Sequence, residues 1–546
     1  MLRKACRNLI DCQPSRSVAG AALVITLAGL ASRLLGMLRD RFLAGTFGAG
    51  DTLDAYYAAF RIPDLIYNLL ILGALSAAFI PVFSGLIGRE KKEEAWKAAS
   101  GVFQLAILSI LACSVVLAIF APFLMKILTP GFSSEKMDLA VSFTRIMFLS
   151  PLFLGISGIF GGILTSFKKF ITYSLGPIFY NLGIIIGVVF LVKIMGPVGL
   201  AWGVVLGAFL HMLVQWPAIK NLGFRAVGSI REAIRNKHVR RIGKLMIPRT
   251  LGIAITQINL LVMTIFASTL ASGSLAVFSF AQNLQSVPLG LFGISFAIAV
   301  FPALSCHFAK EEKKEFIESF SQTFRQIMFF VIPLSVFMLV LRAQLVRIVL
   351  GSGKFDWEDT ILTFEVLGIF VLSLFAQSLI PLLARSFYAM QDTKTPFYVG
   401  LFTEAINIIL ILFLISKYQI LGLAMAFSIA SVIQMFFLLF LLRLRFQGLD
   451  DKNILSSVGK IALASLIAGI FIQGAKYVVA FWIELDTFMS VLIQLSVSAI
   501  VGALVFSGVS VLLKLPEFFS FKESLMKRIW RSKKSIMEDT GEVGGM

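Results

Sequence analysis

The chain has 546 residues, of which 58% are hydrophobic and 14% charged, with a mean hydropathy of +0.90. Such a composition lies far from the average soluble domain and is that of a polytopic membrane protein. The net charge of +19 would suit nucleic acid. The basic residues fall between apolar segments, however, where the positive-inside rule puts them, and nucleic-acid binding is set aside.

The N-terminus is basic (Arg3, Lys4, Arg7, Arg16) and runs into an apolar stretch longer than a signal peptide's core, with no small-residue cleavage site, so it is expected to be retained. Mostly apolar segments long enough to span a hydrocarbon core of about 30 Å then recur about fourteen times. Their approximate spans are 18–46, 52–86, 96–126, 138–167, 172–194, 198–220, 242–269, 274–308, 317–349, 359–389, 396–416, 420–444, 455–481 and 485–513. With alternating loops, about 33 Lys/Arg fall on one face and about eight on the other, including Lys126, Lys136, Arg342, Arg347 and Lys476. This asymmetry places both termini in the cytoplasm.

The first six segments match the second six at an offset of about 221 residues: Arg89 to Trp96 aligns with Lys310 to Ile317, Pro81 with Pro302, and Gly199-Leu200-Ala201 with Gly422-Leu423-Ala424. Six is an even number, so the two copies share one orientation and are related by an axis along the membrane normal. The expected architecture is all-α: a cytoplasmic N-terminus (1–17), a first six-helix lobe (18–222), a cytoplasmic linker (223–241), a second parallel lobe (242–446), an accessory helix pair (447–515) and a cytoplasmic tail (516–546). Two such lobes make an alternating-access transporter the default expectation.

Charge inside the first two segments is the strongest functional signal. An ionised side chain at the centre of a membrane helix costs about 2.5–3.5 kcal/mol on insertion scales and persists facing a cavity or a partner. On a helix Arg33 and Asp40 share a face, as do Asp54 and Arg61, with Asp64 one turn further. Arg39 lies about 120° from Arg33, so both address one ligand only if the helix bends, for which Gly36 is the weak point. Arginine's planar fork suits phosphate, so a diphosphate headgroup fits this wall, with Asp54 expected to hold an Arg when the site is empty. Arg249 and Arg385 could supply the opposite wall, and Glu365, Glu404 and Asn407 a cation or proton site.

Other motifs carry less. Cys6, Cys12, Cys113 and Cys306 are scattered, and His211, His238 and His307 lie far apart, so neither a disulfide framework, a metal site nor His-based catalysis is expected. Gly351-Ser352-Gly353-Lys354 lacks the spacing of a phosphate-binding loop and reads as a turn.

The chain resembles the MurJ/MviN lipid II flippases of the MOP superfamily. The likeness rests on Ser32-Arg33-Leu34-Leu35-Gly36 through Arg39-Asp40, Phe47-Gly48-Ala49-Gly50, Asp54-Ala55-Tyr56, Gly73 to Pro81, Thr264 to Ser268, Leu270 to Ser274, Gly353-Lys354-Phe355 and Phe387 to Pro396. The resemblance implies transport of the undecaprenyl-diphosphate-MurNAc-pentapeptide-GlcNAc precursor from the inner to the outer leaflet of the bacterial cytoplasmic (inner) membrane. It implies a cationic cavity containing Ser32, Arg33, Arg39 and Asp54, with a lipid-tail groove beside the accessory pair. It also implies no cofactor beyond a coupling ion or the membrane potential, and peptidoglycan polymerases as partners. Familiar members carry an Arg where this chain has Tyr67 and another where it has Asn283, so Arg61, Arg249 or Arg385 are expected to compensate. A multidrug or polysaccharide exporter of the same superfamily needs the same architecture but more carboxylates at the cavity wall. A membrane-embedded glycosyl- or phosphotransferase would need clustered carboxylates or His/Asp pairs near the headgroup plane, whereas the acidic residues of the cytoplasmic loops are interleaved with Lys.

Overall fold

The computed structural model describes residues 16–72, 78–523 and 526; Gly73 to Ala77 of the motif quoted above lie outside them. The regular structure among these residues is helical, as the composition requires, because in hydrocarbon every backbone N–H and C=O must be paired within its own segment. Among the described residues, eight helical segments are long and apolar enough to cross a membrane, and Trp357–Leu372 with Leu374–Ala389 forms a further bent pair. This is fewer than the expected number of crossings partly because two of the eight segments are hairpins.

The segment Phe170–Asn221 contains 52 residues, and a straight helix of that length would run to about 80 Å. It reverses at Gly196, whose φ of +63° is left-handed and therefore suits glycine. Beyond the reversal the two arms meet through small residues: a Cβ on Gly183 would lie 2.3 Å from Gly207 Cα, and one on Gly187 would lie 2.4 Å from Gly203 Cα. Lipid tails are as apolar as leucine, so membrane helices associate by close packing, which glycines at four-residue spacing permit. The 53-residue segment Lys394–Phe446 reverses likewise, at Gln419 (φ 47°), where a Cβ on Gly422 would sit 2.4 Å from Leu414 O. Both reversals fall between segments read separately from the sequence.

The chain divides into two compact units. The first comprises Met1–Leu284, Val349–Val366 and Thr393–Ala430, and the second comprises Gln285–Ile348, Leu367–Asp392 and Ser431–Met546. In the first unit the helix Arg16–Phe47 packs on Phe170–Ile186, and Asp51–Tyr67 packs on Ser134–Met147. In the second, Lys313–Val340 carries the C-terminal pair Asp451–Trp482 and Phe488–Leu512: Gly469 lets Val336 approach, and the rings of Phe329 and Phe506 lie 5.5 Å apart.

Gly203→Val adds volume where the opposing backbone already lies 2.7 Å from an ideal Cβ, and it is expected to cost about 1–3 kcal/mol of stability. Gly508→Ala, whose Cβ would meet nothing within 4 Å, is expected to be neutral. Thermal unfolding of the two purified variants in detergent distinguishes them.

Candidate functional site

Three polar clusters inside the first unit contain residues the sequence singled out, and the first joins several of them. The Arg39 guanidinium grips the Asp40 carboxylate through Nη2 (2.8 Å) and Nε (3.0 Å), and its Nη1 donates to Asn181 Oδ1 (3.1 Å). Asn181 Nδ2 in turn donates to the backbone carbonyl and the hydroxyl of Ser32, at 3.2 and 3.4 Å. Asn283, where the resemblance leads one to expect an arginine, donates Nδ2 to the second Asp40 oxygen at 2.9 Å. Asp40, 5% exposed, therefore has both oxygens engaged, as a carboxylate in an apolar segment must. Arg39 and Ser32 are thus connected through Asn181 on the neighbouring helix. The helix Arg16–Phe47 is continuous through Gly36, so this link requires no break there.

Arg61 belongs to the same unit. Its Nε donates to Thr264 Oγ1 at 2.8 Å, and Asp64, one turn away, is close enough to act on it electrostatically. Arg33 is half-buried. Arg249 lies on the helix Lys237–Ser268, but its side chain falls outside the described residues. Arg385 belongs to the second unit, half-buried, with Nη1 reaching the Pro381 carbonyl at 3.4 Å.

The second cluster corrects an expectation. Asp54 pairs with Lys136 and not with an arginine: Lys136 Nζ lies 2.7 Å from Asp54 and 2.7 Å from Asp51. Asp54 also accepts from the backbone N–H groups of Gly273 and Ala276, each at 2.8 Å, at the start of the helix Ser274–Pro288. A carboxylate there satisfies orphan N–H groups and meets the positive end of the helix dipole. The sequence counted Lys136 as a loop cation; tertiary packing against Asp51–Tyr67 makes it a buried partner.

Loops interlock beside this cluster. Lys354 N donates to Gly45 O (2.9 Å), and Ala49 N donates to Asp359 Oδ2 (2.8 Å). A Cβ on Gly273 would lie 2.0 Å from Ala49 O, and one on Gly353 would lie 2.2 Å from Gly45 O. Both glycines have positive φ, so this clasp demands glycine for conformation as well as for space. The Gly351 to Lys354 segment is the expected turn, and it also holds the end of the first helix.

In the third cluster Glu404 accepts from Asn259 Nδ2 at 2.5 Å and from Asn407 Nδ2 at 3.4 Å, while Asn407 Oδ1 is buried without a hydrogen-bond partner among the described residues. Glu365, expected in the same group, is exposed. Among the described residues no group of three His, Cys, Asp or Glu could hold a metal. Asn181, Lys136, Thr264 and Asn259 were not among the sequence candidates. A lone amide or amine in an apolar helix is a weak signal until its partner is known.

Buried, mutually engaged charges within long apolar helices define a multi-pass membrane protein of the transporter class. The family description "Lipid II flippase MurJ" matches residues 43–493. A probable lipid II flippase MurJ of Vibrio cholerae is 30% identical over 486 residues, covering 87% of this chain and 90% of its own length. A solved lipid II flippase MurJ in an inward closed conformation is similar with a TM-score of 0.73 at 28% identity, covering 89% of this chain and 99% of that one. A multidrug resistance MATE family transporter of the MOP superfamily has a TM-score of 0.64 at 14% identity over 76% of this chain and 94% of its own, a likeness of fold alone. The chain belongs to the MurJ lipid II flippase family.

Removing one member of a buried ion pair strands the other and costs about 3–5 kcal/mol, whereas removing both charges costs much less. Lys136→Met is therefore expected to destabilise the protein by about that amount, and Lys136→Met with Asp54→Asn to recover most of the loss. Denaturant unfolding of the single and double variants checks this.

Proposed function

We propose that this protein is a flippase, not an enzyme, moving the undecaprenyl-diphosphate-linked peptidoglycan precursor lipid II from the inner to the outer leaflet by alternating access. Membership of the MurJ family supports the cargo. The observation that carries the chemistry is the Arg39–Asp40–Asn181–Ser32 network, with Arg61 in the same unit. Arg39 is neutralised by Asp40, so an arriving diphosphate can exchange places with a carboxylate already engaging the guanidinium, and no bare cation has to wait in an apolar environment. Ser32, Arg33, Arg39 and Arg61, all of the first unit, are the proposed headgroup ligands; Arg249 and Arg385 are proposed as further cations for the headgroup from their positions in the sequence alone. Asp54 acts instead through Lys136 and the interlocked loops, as the latch of one access state.

In this reading the two six-helix copies rock about the headgroup site, the accessory pair shelters the lipid tail, and both termini lie in the cytoplasm. Peptidoglycan polymerases take up the product. Energy comes from the membrane potential or a coupling cation, with no other cofactor. Glu404 and Asn407 present carboxylate and amide oxygens, the donor set hard cations prefer, and Asn407 Oδ1, without a partner among the described residues, gives such an ion a ready ligand.

The test is depletion of the resident flippase in a bacterium and complementation with this chain, scored by exposure of lipid II in the outer leaflet. The intact chain should restore exposure and Arg39→Gln should abolish it; failure of the intact chain under confirmed expression points to another cargo. The triple change Arg61→Gln, Arg249→Gln, Arg385→Gln should also abolish rescue, and intact flipping would remove these residues from the site.

A further inference from the structure

The segment joining the two sequence repeats does more than connect them. Phe224 is buried against the rings of Trp96, Phe103 and Phe160, at centroid separations of 5.8, 5.6 and 6.3 Å. Ser100 Oγ donates to Val227 O (2.6 Å) and accepts from Val227 N (2.9 Å), while Gln104 Nε2 donates to Gly228 O (2.9 Å). Gly101 leaves room for Ala233 and Val239, both buried: a Cβ there would lie 3.3 Å from the Ala233 methyl and 2.9 Å from Val239 Cγ2. The linker is therefore clamped to the helix Lys92–Ile119 along its inner side.

The depth of that clamp matters. The helix has 28 residues, about 42 Å at 1.5 Å per residue, and overhangs a hydrocarbon core of about 30 Å by about 12 Å. Ser100 and Gln104 lie eight and twelve residues from its start, or about 12 and 18 Å along the axis. With that overhang at its charged N-terminal end (Lys92, Glu93, Glu94), the helix would bring the linker backbone to the boundary between headgroups and acyl chains. Its outer side presents Val227 (69% exposed), Ile230 (45%) and Ile234 (52%), interleaved with exposed Arg225, Arg231 and Arg235. Lys237, Arg240, Arg241 and Lys244 follow, against one acidic residue, Glu232, in the whole stretch. Apolar side chains among cations at interfacial depth form a surface that sits in a leaflet and attracts anionic lipid.

We propose that residues 225–241 are a docking surface for the anionic phospholipid headgroups of the bilayer. Val227, Ile230 and Ile234 enter the acyl boundary, and Arg225, Arg231 and Arg235 bind lipid phosphates. This surface is separate from the cargo site and does not depend on the transported lipid.

The test uses the full chain with its four cysteines changed to Ser, Val227→Cys carrying an environment-sensitive fluorophore, reconstituted in nanodiscs. Brominated phosphatidylglycerol or brominated phosphatidylcholine is titrated as quencher into unlabelled phosphatidylcholine. Phosphatidylglycerol should quench at about tenfold lower mole fraction. That preference should collapse in Arg225→Gln, Arg231→Gln, Arg235→Gln and in 0.5 M salt, while phosphatidylcholine quenching at high mole fraction persists. Melting of the triple variant, whose changes are all at exposed positions, should match that of its parent. Equal quenching by the two lipids would overturn the charge selectivity. Quenching by neither would place the surface in water, as a site for a soluble partner, and overturn the proposal.

Discussion

The cost of holding charge away from water organises this protein. Asp40, Asp54, Lys136 and Glu404 are all buried, and each carboxylate and the ammonium meets a partner from another helix or an adjacent side chain. In a low-dielectric setting a charge left alone would cost several kcal/mol, so these groups dictate which helices lie side by side. Asn181 brings Phe170–Ile186 to the first helix, Lys136 brings Ser134–Met147 to Asp51–Tyr67, and Asn259 brings Lys237–Ser268 to the helix bearing Glu404. Nonpolar packing fills in around these contacts.

The same constraint suits the molecule to carrying an anionic headgroup. A cation paired with an acid can exchange that acid for a phosphate, so it does not wait bare in an apolar environment. Asn283 fits this logic, because it supplies a neutral donor to the Asp40 oxygen that Arg39 does not engage. At the interlocked loops glycine has a comparable role, since Gly273 and Gly353 allow backbone-to-backbone approach that a side chain would block.

Much of the fold was legible because hydropathy and turn chemistry act locally. Every long apolar stretch reads as a helix in any context that lacks water, and Gly196 and Gln419 fall between stretches already read as separate. Arg33, Arg39, Asp40, Asp54 and Arg61 stood out because an ionised group in such a stretch is an energetic anomaly visible without coordinates, whereas Ser32 was reached only through the resemblance. What could not be read was the identity of the partners. Lys136 looked like an ordinary loop cation, and Asn181 and Asn259 looked like isolated amides, because a pair separated by 82 or 142 residues leaves no local pattern. The expectation that Asp54 holds an arginine failed for that reason: helical periodicity ranks neighbours on one helix and says nothing about which other helix arrives.

By itself, then, the sequence determined that the chain is a multi-pass helical protein, that its N-terminal segments carry buried charge, and that it resembles the MurJ flippases. Those properties follow from composition, hydrophobic period and contiguous motifs, all short-range in the chain. Only the tertiary structure decided that Arg39 is coupled to Ser32 through Asn181, that Asp54 caps a distant helix with Lys136 beside it, and that the linker is clamped to the helix Lys92–Ile119. These depend on close packing between segments far apart in sequence, where an ångström of approach, set by residues such as Gly101, Gly203 and Gly273, selects one partner over another.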